Sequence, residues 1–88
     1  MNSIDKMLDE RTPFVLNVVR ATTGIKVASI DQEREIKRLM ADYFRKKVAE
    51  GDMGALDVFY ERGEADPELT ALLQDYRLRT KTKKVGVR

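Results

Sequence analysis

Two features of this 88-residue chain have residue types and spacing that could do chemistry. One is an acidic pair, Asp57 and Glu61; the other is a run of six cations in the last twelve positions, Arg77, Arg79, Lys81, Lys83, Lys84 and Arg88. Carboxylates four apart share a helix face and could in principle share a proton or a metal ion, but no further group converges on them here. The chain has no histidine and no cysteine, which removes the usual neutral-pH proton carrier and the thiolate nucleophile. Its two serines, Ser3 and Ser29, stand where helix N-caps are expected, so they read as backbone partners and not as nucleophiles. Asp52, Asp57, Glu64, Asp66 and Glu68 fit no calcium-loop spacing, and glycines 24, 51, 54, 63 and 86 are too dispersed to cradle a phosphate. The expectation is a chain that is not an enzyme, with no cofactor and no metal.

The cations are the stronger signal, because they follow a stretch of opposite sign. Residues 51–76 carry seven acids and a single base, Arg62, so a segment of −6 precedes one of +6 within a total of only +2. Opposite charges gather partners within a Debye length of roughly 8 Å. The candidate binding residues are therefore Arg77, Arg79, Lys81, Lys83, Lys84 and Arg88, and their sign admits either nucleic acid or an acidic protein surface. Arg34, Lys37, Arg38, Arg45, Lys46 and Lys47 could extend a phosphate-binding face. They are interleaved with Glu33, Glu35 and Asp42 at intrahelical pairing distances, however, which reads as a solvated helix face. A helix-turn-helix reader made of residues 53–62 and 67–80 is disfavoured, since Glu64, Asp66 and Glu68 would meet the phosphates first. Tyr43, Phe44, Phe59, Tyr60 and Tyr76 are not interleaved with the tail cations and read as core, not as base-stacking platforms.

These residues need elements to position them, and capping residues divide the chain more clearly than hydropathy does. Ser29 and Gln32 have capping-box spacing, so a helix starts at Ile30 and closes at Gly51. Its apolar face is Ile36, Leu39, Met40, Tyr43, Phe44 and Val48. Asp52 caps a short helix from Met53 to Arg62 that buries Leu56, Phe59 and Tyr60 or Val58, with Gly63 as its stop. Asp66 and Pro67 open a last helix that carries Leu69, Leu72, Leu73 and Tyr76 and ends near Thr80, leaving residues 81–88 as a basic tail.

The first third is ambiguous between two readings. Phe14 to Val19 is rich in β-branched residues, so a β-hairpin over residues 14–30 turning at 21–24 is one possibility, giving an α+β fold. The preferred reading is a helix that Thr12 and Pro13 start and Gly24 stops, with Asn17, Arg20 and Thr23 or Gly24 as its polar stripe. A leading helix from Ile4 to Arg11, capped by Ser3, would pack Ile4, Met7 and Leu8 over it. The fold class expected is all-α, a small bundle of four to five helices in one domain, residues 1–80.

No family signature stands beside these features. A chain this short buries only about 60–65% of its unfolded surface, so self-association is a natural way to complete its core. The expected function is a protein-interaction or assembly module, a regulatory subunit or inhibitor that self-associates as a homo-oligomer or binds a protein partner. The alternative is non-specific nucleic-acid binding through the tail. No signal peptide or spanning segment is expected, and the lack of cysteine is compatible with a cytoplasmic protein.

Overall fold

A computed structural model describes the backbone of residues 3–86 and the side chains of residues 3–80. Five helices follow one another: α1 Ser3–Glu10, α2 Thr12–Thr23, α3 Ile30–Ala49, α4 Gly54–Arg62 and α5 Pro67–Gly86. No strand occurs among the described residues, so the fold is all-α and the hairpin reading of residues 14–30 is corrected to helix α2 followed by a short connection. The reason is local: Gly24 takes φ +78° and donates its N–H to the Arg20 carbonyl, closing α2 as a left-handed cap.

The break between α1 and α2 comes from Pro13. A continuous helix would send the N–H of residue 13 to the Asp9 carbonyl, and proline has none to give. The Thr12 hydroxyl donates to that carbonyl instead, at 2.9 Å. Thr12 therefore serves the end of α1, and no side chain caps the start of α2.

Helix α3 is the central element. Ser29 Oγ accepts from the Gln32 N–H at 3.1 Å, as its spacing predicts, while Gln32 Oε1 accepts from the Ala28 N–H, one residue earlier than a standard capping box. Asp5 reaches Arg45 and Asp9 reaches Lys37, both at 3.0 Å, so α1 lies antiparallel along α3. Tyr43 donates to Asp66 and Tyr76 to Glu35, so α5 also runs antiparallel to α3. Helix α2 runs parallel to α5: its first turn meets Gly63 through Phe14, and Gln74 donates to the Thr22 carbonyl.

The core follows the apolar stripes with four exceptions. Ile36, Met40 and Phe44 of α3 are fully buried with Leu8, Val15, Val19, Phe59, Leu69 and Leu73. Phe59 sits among Phe14, Phe44 and Tyr60 at ring-centroid distances of 4.8 to 5.4 Å, so these aromatics are core. Val48, expected on the inner face, is exposed, and Lys47 beside it is buried in its place. Met7 is exposed too, whereas Thr23, expected on the polar stripe of α2, is buried and donates to the Val19 carbonyl. Finally, α5 continues to Gly86, past the end expected near Thr80.

Candidate functional site

The acidic start and the basic end of α5 are held apart by the helix itself. Asp66 caps the helix through the Leu69 N–H at 2.9 Å and also accepts from the Tyr43 hydroxyl. Both burial and that hydrogen bond raise the Tyr43 pKa well above its ordinary value. Glu68 makes a close ion pair with Lys47, whose pKa rises mainly because the hydrogen bond it donates to Glu68 favours the charged form. The acids at residues 66 and 68 thus have partners within the chain.

Farther along, Tyr76 donates to Glu35 at 2.8 Å, and burial first, then this bond, push its pKa up to about 12. Beyond Tyr76, no side-chain hydrogen bond or ion pair to another helix occurs among the described residues. Arg77 and Leu78 are exposed, and Arg77 has no ion pair among the described residues. Arg79 pairs only with Asp75 of its own helix, and both side chains stay 62% exposed. Of the six expected binding residues, the structure therefore places Arg77 and Arg79 on an open face. The side chains of Lys81, Lys83, Lys84 and Arg88 lie outside the described residues.

Half of the basic face of α3 is answered from within, through Lys37, Arg45 and Lys47. Lys37 is pulled down by burial, but the hydrogen bonds it donates to Asp9 and Glu33 outweigh that and raise its pKa. Arg45 donates to Asp5 and pairs closely with Asp42. Arg34, Arg38 and Lys46 remain exposed and have no ion pair among the described residues. Two of the three neutralised cations draw on acids of α1, which lie 28 and 40 residues away in sequence.

A second surface lies at the opposite end of the molecule. Ile4 and Met7 of α1, Val48 of α3, and Met53 and Leu56 around the start of α4 line an open cleft of about 340 Å³. Met7, Val48 and Met53 are 37%, 38% and 49% exposed, so this is an apolar face reaching solvent. Ser3 and Ile4, at the described start of α1, lie beside Val48 and Ala49 in the last turn of α3, and Val48 stays 38% exposed there. Asp52 accepts from the Gly54 N–H and starts α4 there, which leaves Met53 outside the helix. Asp57 and Glu61 stand on the α4 wall of this cleft, both exposed. Sequence reasoning paired these two acids but missed the apolar floor beside them. The available signal was Met53, an apolar residue between a capping aspartate and a glycine.

Among the described residues, no three carboxylates converge in a way that could hold a metal ion, and no helix is long and apolar enough to cross a membrane. Compared with known proteins, the chain matches no family model, no curated protein and no solved structure.

Proposed function

We propose that this chain is a non-catalytic interaction module that assembles with itself. The observation that carries this reading is the apolar cleft between α1 and α4, where Met7, Val48 and Met53, three of the five exposed large apolar side chains among the described residues, come together. Exposed apolar side chains scattered singly are ordinary, but a contiguous group lining one concavity marks a contact surface. An assembly face of this kind also supplies burial that 88 residues cannot find within one copy. A role as regulatory subunit or inhibitor belongs to the same class and would use the same surface on a different partner. Binding of nucleic acid by the basic end of α5 is the competing reading.

Light scattering over a dilution series tests the proposal. The expected result is a mass that settles at a fixed multiple of 10.1 kDa as concentration rises. A monomer of 10.1 kDa at every concentration up to about a millimolar, where even a weak complex forms, would remove self-association. Retention of such a monomer on DNA or RNA would favour the competing reading.

A further inference from the structure

The geometry points to a specific occupant of the apolar cleft: we propose that it receives the basic C-terminal end of α5 from a second copy of the chain. This rests on the self-assembly reading and names the two surfaces that meet. The first argument is charge. The charged side chains lining the cleft itself are Asp57 and Glu61 on its α4 wall, with Arg11 over the Tyr60 ring and Arg45 beyond Ile4 and Val48 at its borders, so the α4 side is acidic and the floor apolar. A fitting ligand is a segment with apolar side chains among cations and no acids. Residues 77–88 have that composition, with six cations, no acid, and Leu78 and Val85 seven positions apart. The backbone of α5 stays helical to Gly86. Leu78 is 56% exposed and flanked by Arg77 and Arg79, so it can leave water only by meeting another surface.

The second argument is distance. Tyr76 sits at the level of Glu35, and Val48 lies thirteen residues farther along α3, which at the helical rise is about 20 Å. The end of α5 projects ten residues in the other direction, about 15 Å more. The basic end, from Arg77 to Gly86, thus lies roughly 20 to 35 Å from the acidic cleft of the same copy, on a molecule whose long axis is 43 Å. A helix cannot fold back over that span. The two surfaces can meet only between copies, and two copies lying side by side in opposite directions place each basic end beside the other's cleft. That arrangement closes with two equivalent contacts, as two-fold dimers do.

Charge exchange tests the inference. The cleft variant carries Asp57→Lys and Glu61→Lys; the end variant carries Arg77→Glu and Lys81→Glu. Asp57, Glu61 and Arg77 are exposed, so each variant is expected to keep the wild-type circular dichroism and melting temperature. In sedimentation equilibrium, each variant alone should dimerise at least tenfold more weakly than the wild type. An equimolar mixture of the two should recover the dimer, because each basic cleft then faces an acidic end and each acidic cleft a basic one. If either variant does not fold, the neutralised pairs Asp57→Asn with Glu61→Gln and Arg77→Gln with Lys81→Gln replace it, with a smaller loss expected. A wild-type dimer that both variants retain, or that the mixture fails to restore, overturns the cleft-to-helix contact while leaving self-assembly standing. A monomeric wild type overturns both.

Discussion

Replacing Asp66 by alanine should loosen α5 more than any other single surface change, and the magnitude can be worked from its two hydrogen bonds. The carboxylate accepts from the Leu69 N–H at 2.9 Å and from the Tyr43 hydroxyl at 2.6 Å to its second oxygen. Loss of the cap costs about 1 kcal/mol. A hydrogen bond to a charged acceptor contributes about 1.5–3 kcal/mol, and the lower end applies because Asp66 is only half-buried. Asp66→Ala should therefore cost about 2.5 kcal/mol, which for a domain of this size lowers the melting temperature by about 10–20 °C. Tyr43→Phe should cost about 1.5 kcal/mol, since it removes the hydroxyl and leaves the cap. The assay is a double-mutant cycle by guanidinium denaturation followed at 222 nm. The two residues should couple by about 1.5 kcal/mol, because once Asp66 is gone the Tyr43 hydroxyl has lost its acceptor. Coupling below about 0.5 kcal/mol, or Asp66→Ala no worse than Tyr43→Phe, would refute the claim that this carboxylate anchors the helix.

Two further outcomes follow from other side chains. The Tyr60 hydroxyl is buried and has no hydrogen-bond partner among the described residues, and that burial raises its pKa. Tyr60→Phe should therefore leave the melting temperature unchanged or raise it by a few degrees, whereas a fall of more than about 4 °C would reveal a bond worth about 1 kcal/mol. Tyr76 has its pKa pushed up to about 12, so the neutral hydroxyl is favoured in the folded chain. A raised pKa means the stabilisation is complete below the unfolded value near 10 and is lost as pH climbs through about 12. The wild type should accordingly lose more stability between pH 10 and 12 than Tyr76→Phe does, and equal losses in thermal melts would contradict the burial of the Tyr76 hydroxyl together with its bond to Glu35.

The features legible in the sequence are those settled within four residues. Ser29 with Gln32, Asp66 with Pro67, and Gly63 each fix a helix end through neighbouring backbone groups, and each boundary falls where its spacing places it. What the sequence does not reveal is which helix faces meet. Lys37 and Arg45 read as solvated because their nearest acids in sequence, Glu33 and Asp42, suffice to explain them. Their other partners, Asp9 and Asp5, come into reach only when α1 packs along α3. Val48 continues the apolar stripe of Phe44 by four residues, and no periodicity can tell that it stays exposed beside α1. Lys47 is buried for the complementary reason: α5 starts over it and brings Glu68 to its ammonium. The two acids of the candidate site were visible as a pair, but the floor beside them is assembled from three helices.

The charge polarity of α5 has a structural consequence that its composition alone does not. Had residues 63–66 and 77–88 been joined by a flexible loop, opposite charges within one chain would satisfy each other at an effective concentration no partner could match. A continuous helix prevents that. Eleven residues of helix hold Asp66 and Arg77 about 17 Å apart, roughly two Debye lengths, so neither neutralises the other. The acids at the start are then consumed locally by Tyr43 and Lys47, whereas Arg77, past the last side-chain bond to another helix at Tyr76, keeps an unmatched charge among the described residues. Rigidity thus keeps the exposed Arg77 away from the acids that open the same helix. Glycines at exposed positions 77 and 79 would interrupt the helix and let that end approach the body, so the salt dependence of self-association should weaken more than in Arg77→Gln with Arg79→Gln, which removes the same two charges and keeps the helix.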